Sequence, residues 1–130
     1  MLARIDAAEF QQRLLESDQA KNAHSYEGRK IIFEHLDEDE NYVMQSASDI
    51  AGTWAESTFS DLQGDFDWDD SFNQISKDAQ DGCDGSLEQY SRMVIAGVCE
   101  WLSDKTIFLN TAGRLDGDLD TTSFIYDKNF

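Results

Sequence analysis

The sequence predicts an α+β fold, with four or five helices packed on a small, mostly antiparallel sheet whose strands lie near 42–45, 105–110 and 122–127. Three observations predict it. Apolar residues recur at three- and four-residue spacing in segments that open on Ser or Asp. The C-terminal quarter instead holds two aromatic and β-branched runs joined by a Gly-containing turn. No Pro, Ser/Gly linker or internal repeat divides the 130 residues, so residues 1–130 read as a single acidic domain.

Asp6 stands as the N-cap of a first helix. Glu9 follows at the third helical position and Ile5 faces Phe10, the pattern of a capping box with a hydrophobic staple. Phe10 and Leu14 carry its apolar stripe to about Ser17, and Asp18–Ala23 reads as a loop. Ser25 opens a second helix, with Glu27 in the first turn where negative charge suits the helix dipole. Ile32, Phe33 and Leu36 form its inner face, Glu34, Asp37 and Glu38 fall outside, and Asp39-Glu40-Asn41 ends it. Tyr42-Val43-Met44 is a short strand candidate.

Ser48 is placed to cap a third helix carrying Ile50, Trp54, Thr58, Phe59 and Leu62, stopped by Gly64. Asp65-Phe-Asp-Trp-Asp-Asp70 is a turn that alternates acid and aromatic, and a short helix from about Asp69 to Ala79 uses Phe72, Ile75 and Ala79. After the turn Asp81–Gly85, Ser86 and Gln89 repeat the capping-box pattern. Leu87, Tyr90, Val94, Val98, Trp101 and Leu102 give the next helix a continuous apolar face, which marks it as the central buried helix. Lys105–Leu109 and Thr122–Tyr126 read as paired strands around an Asn110–Asp120 turn.

The formal charge is −17, with 40% hydrophobic and 12% aromatic residues, a composition too apolar for a disordered acidic tail. The charge is uneven. Residues 1–30 hold five bases and five acids; residues 31–76 hold twelve acids and no Lys or Arg; residues 77–130 hold five bases and ten acids. Acids selected for solubility alone would spread evenly, so the base-free middle reads as a functional acidic face. Direct electrostatic binding to nucleic acid or to an anionic membrane is strongly disfavoured, because phosphate contacts need clustered Lys and Arg. No apolar run approaches the roughly 18 residues of a membrane span, and the N-terminus lacks a signal-peptide core, so the chain reads as cytoplasmic. Cys83 and Cys99 are expected as free thiols.

Catalytic and metal motifs are poorly represented. His24 and His35 are the two histidines, and there is no Gly-x-Ser-x-Gly, P-loop or Gly-x-Gly-x-x-Gly. A Cys99–His35 pair is outweighed by Cys99's place on an apolar helix face. Zinc is disfavoured by scattered ligands. Asp116-Gly-Asp118-Leu-Asp120 has the carboxylate spacing of a calcium loop but places Thr121 where the tight turn needs Gly and Asp127 where Glu is usual. No catalytic set, metal or cofactor is therefore expected.

A sharper expectation comes from spacing. Helical neighbours three or four apart lie about 5–6 Å from each other, and duplex phosphates about 3.4 Å apart along a strand, so acids on adjacent helices approximate rows of backbone phosphates. Two clusters are candidates for pairing with Lys and Arg that normally grip DNA: Glu34, Asp37, Glu38, Asp39 and Glu40, and Asp61, Asp65, Asp67, Asp69 and Asp70. Trp68, with Phe66 and Phe72, interleaves the second cluster and offers apolar anchors, unless these rings pack into the core.

Ser25-Tyr-Glu-Gly28, followed by Ile32-Phe-Glu-His-Leu36 and an acidic run, resembles a group of short, acidic, phage-encoded proteins that read Ser-Tyr-Glu-Gly and then Leu-Phe-Glu-x-Leu-Glu. Thr106–Leu109 and Phe124–Phe130 resemble the strand pair with which that group ends. In size and charge the chain is also similar to phage DNA mimics that block restriction enzymes or CRISPR surveillance complexes. The resemblance implies a phage-derived inhibitor of host defence working in the bacterial cytoplasm, its partner a basic nucleic-acid-binding protein. It assigns no individual residue a role. The alternative is an immunity protein that neutralises a basic nuclease toxin by the same physics. A homodimer would lengthen the acidic track.

Overall fold

The computed structural model describes residues 6–38, 46–113 and 119–130. The elements run α1 (Ala7–Glu16), α2 (Tyr26–Asp37), α3 (Ala47–Thr53), β1 (Trp54–Thr58), α4 (Phe59–Asp65), α5 (Ser71–Gly82), α6 (Leu87–Lys105), β2 (Phe108–Ala112), a 3₁₀ turn (Leu119–Thr121) and β3 (Ser123–Asp127). The fold is α+β, with six α-helices and a three-stranded antiparallel sheet among the described residues.

The helix starts follow side-chain chemistry. The side chains of Asp6, Ser25 and Ser86 accept the backbone N–H groups of Glu9, Gly28 and Gln89, which satisfies donors that a helix N-terminus leaves free. The α5–α6 turn passes through Asp84 and Gly85 with φ of 52° and 78°, left-handed values that Asp tolerates and Gly adopts without strain.

The sheet order is β1-β3-β2, so β3 is central and both its faces are covered. Alternation along β3 sends Phe124 and Tyr126 into one core and Ile125 into the other. The Ile125 side is filled by Phe10, Leu14, Ile32, Ile50 and Trp54 from α1–α3 and the start of β1. The opposite side is filled by Phe59, Leu62, Phe72, Val94, Val98 and Trp101 from α4–α6. The result is three layers, with the sheet between two helical layers.

The structure departs from the sequence expectation in three places. The segment expected as one helix from Ser48 to Gly64 is α3, β1 and α4, and Ser46 rather than Ser48 caps α3. Trp54–Thr58 pairs along its whole length with β3, and tertiary pairing there overrides an apolar spacing that also fits a helix. Second, α6 continues through Lys105, so the strand expected from 105 begins at Phe108 and reaches Ala112, with a register shift between Phe108 and Asn110. Third, Leu87 is 83% exposed rather than part of the apolar face, because it is the first residue of α6, beside the α5–α6 turn. Among the described residues the third strand is β1; the strand candidate at Tyr42–Met44 lies outside them.

Candidate interaction surface

The Ser25–Gly28 motif does structural work. Glu56, half-buried on β1, accepts the Ser25 N–H at 2.8 Å and the Ser25 hydroxyl at 3.0 Å, and its other oxygen accepts the Ser123 hydroxyl at 2.7 Å. A Cβ at position 28 would strike that carboxylate, so a larger residue there would push Glu56 off these bonds. Glu27 accepts the Gly113 N–H at 2.9 Å. The motif thus docks the positive end of α2 onto the half-buried Glu56 carboxylate and, through Glu27, holds a loop amide.

Beside it, His24 Nε2 bonds the Trp54 carbonyl at 2.6 Å, and buried Arg29 donates to the His24 carbonyl and to the Gln11 amide oxygen. The His24 pKa is lowered, first by burial and further by the Arg29 and Lys128 charges, against opposing contributions from the Trp54 bond and Glu56. Its Nδ1 is buried without a hydrogen-bond partner.

The acids singled out in the sequence divide between the layers. Glu34, Asp37 and Glu38 are exposed on the outer side of α2. Glu34 and Glu38 flank a groove between α2 and β2 beside Ile107, which is 53% exposed. Asp39 and Glu40 lie outside the described residues, as do Asp116 and Asp118 of the calcium-like spacing. Asp61, Asp65, Asp67, Asp69 and Asp70 belong to the opposite layer, on α4 and the turn into α5. The sheet stands between Glu34, Asp37 and Glu38 on one side and the 61–70 acids on the other, so these form two surfaces and not the adjacent helical rows that the sequence implies.

Within the second cluster the carboxylates differ in what they touch. Asp61 completes a capping box with Thr58. Asp69 accepts the Ser71 N–H at 2.9 Å, and the Ser71 hydroxyl and amide hold its carboxyl below the usual range. Asp65, Asp67 and Asp70 make no hydrogen bond or ion pair among the described residues. Asp65 is the last residue of α4, where the dipole disfavours an acid, and no base lies in that turn.

The three interleaved aromatics also separate. Phe72 is fully in the core and Phe66 half-buried on Trp101 at 5.3 Å, whereas Trp68 is 73% exposed. Trp68 packs edge-on against Phe66 at 6.1 Å, so an exposed indole is propped by the aromatic core beneath it.

The charge continues along this layer. Residues 59–105 carry eleven acids and three bases, net −8, and one of those bases, Arg92, is paired with Glu88 at 2.7 Å. Sequence reasoning missed Glu100 and Asp104, which stand exposed on α6 beside α5. Their signal was helical spacing four apart on a helix whose opposite face is apolar.

Among the described residues no group of three or more His, Cys, Asp or Glu is placed to hold a metal ion, and no helix is long and apolar enough to cross a membrane. Cys83 and Cys99 are free, and burial pushes the Cys99 thiol up. Comparison with protein-family models, with curated proteins and with solved structures finds no match to this chain.

Proposed function

We propose that the protein is a phage-derived inhibitor of a host defence complex that binds nucleic acid, of the anti-CRISPR or antirestriction kind, acting by stoichiometric binding and not by catalysis. Its α4–α6 layer takes the place of DNA in a basic cleft. One observation carries the reading: exposed carboxylates Asp65, Asp67 and Asp70, without partners among the described residues, flank an exposed Trp68 in the chain. Like charges gathered this way destabilise the folded chain. They are compensated when the Lys and Arg of a DNA-binding site replace their counterions, and an indole at the centre adds the apolar contact that dominates interface energies.

The test is a competition assay. The chain is titrated into restriction enzymes and CRISPR effector complexes on labelled duplex DNA. The reading expects one target to release DNA at about one equivalent of the chain, with inhibition weakening steeply as salt rises. Absence of inhibition across both classes, or inhibition indifferent to salt, overturns it. Capture by a nuclease toxin in place of a defence complex would also overturn it, in favour of an immunity role.

A further inference from the structure

Away from the 65–70 turn, the same layer contains a groove of about 590 Å³ between α5 and α6. Ile75 and Ala79 from α5 and Met93, Gly97 and Trp101 from α6 form its apolar floor. Gly97 sets its width, since a Cβ there would lie 2.8 Å from Ile75 Cγ2. Asp78, Glu100 and Asp104 stand on the rim, all exposed. Asp78 accepts from the Gln74 amide at 2.7 Å, and none of the three has an ion-pair partner among the described residues. Trp101 is 8% exposed, and its buried indole N–H lies toward the Asp69 carboxylate, so it is the ring that meets the groove.

These features together select an occupant. A purely apolar partner would strip water from three carboxylates with nothing to replace it. A small hydrated cation would leave the floor uncovered. A side chain with an aliphatic stem and a cationic head satisfies both, and Arg adds a planar head that stacks on an indole. We propose that the groove seats a basic amphipathic helix of the target protein, its aliphatic side chains on Ile75, Met93 and Trp101 and its Arg or Lys ends against Asp78, Glu100 and Asp104. The inference rests on the reading that the target is basic, and adds which element of the target is gripped.

The probe is a synthetic helix of about four turns with Leu on one face and Arg on the other, added to the isotopically labelled full chain. Shifts concentrate at Ile75, Gly97 and the Trp101 indole N–H. Glu100→Lys with Asp104→Lys weakens binding by about tenfold or more. Glu34→Lys with Glu38→Lys, the same charge change on the other layer, weakens it by less than about threefold. The neutral pair Glu100→Gln with Asp104→Asn gives an intermediate loss and guards against misfolding of the reversed pair. Equal weakening by both reversals, shifts centred elsewhere, or undiminished binding of a peptide with Ser for Leu overturns the groove. Target inhibition that survives the Glu100 and Asp104 reversal removes the groove and leaves the proposed function standing. A seated peptide with no inhibited target does the opposite.

Discussion

The two helical layers cover opposite faces of one sheet and use their charges differently. In the α1–α3 layer charged groups are built into the architecture: Arg29 is buried between His24 and Gln11, Glu27 holds Gly113, and Glu56 receives the start of α2 from β1. Arg13 and Lys21 pair with Glu9 and Asp18. In the α4–α6 layer most carboxylates point to water, and neither α4 nor α5 has a base in its last turn to offset its dipole. The difference teaches where to look for function. Charge that the fold consumes is silent toward partners, whereas charge that the fold must tolerate remains available to them.

The largest effect that would sharpen the contrast is at Arg29. Arg29→Ala leaves the His24 carbonyl and the Gln11 amide oxygen without their donor, and a urea melt reads a loss of about 2–3 kcal/mol. If the loss is under about 0.5 kcal/mol, the first layer does not depend on its internal charge.

Trp68→Ala has the reverse profile. The exposed indole contributes little to folding, so stability changes by less than about 0.5 kcal/mol. Target binding falls by about 2 kcal/mol if the indole is the central anchor. A marked drop in melting temperature with binding intact would reassign Trp68 to the core.

Acidification separates the layers next. Burial holds His24 neutral, so its folded pKa lies below the ordinary value of 6.5. Below that pH the unfolded chain binds the proton and the folded chain does not. Stability therefore falls as pH drops through 6.5 toward the folded value, and this contribution then levels off. His24→Gln, whose amide N–H reaches the Trp54 carbonyl in the same way, flattens this slope in chemical denaturation at a series of pH values. An unchanged slope would place the titrating group elsewhere.

The smallest effect is at helix C-termini. Asp65→Asn and Asp81→Asn remove acids from the negative ends of α4 and α5, and each stabilises the fold by about 0.3–1 kcal/mol at low salt, less at high salt. Destabilisation by either would show that these acids serve the fold.

Much of the fold is legible in side-chain chemistry read locally. The caps at Asp6, Ser25 and Ser86 and the pairing of the last two strands follow from residues a few positions apart. The segment 46–65 is not legible in the same way, because Ile50, Trp54, Thr58 and Leu62 sit at helical spacing while each belongs to a different element or end of one. A local signal for the break existed in Thr58 and Asp61, which form a capping box at the true start of α4. That one misreading reaches the site. A single helix would have kept the α2 acids and the 65–70 acids on neighbouring helices, whereas β1 forms the sheet edge and delivers α4 to the other face. Which of Phe66, Trp68 and Phe72 faces water is likewise invisible in composition, since it depends on where α6 places Trp101.

The central claim is that the α4–α6 layer, not the α2 face, is the surface that meets the target. Two triple reversals test it side by side in the DNA-competition assay: Asp65→Lys, Asp67→Lys and Asp70→Lys against Glu34→Lys, Asp37→Lys and Glu38→Lys. Inhibition abolished by the first set and retained by the second is the predicted result. Inhibition retained by the first set, or lost equally in both, would contradict it.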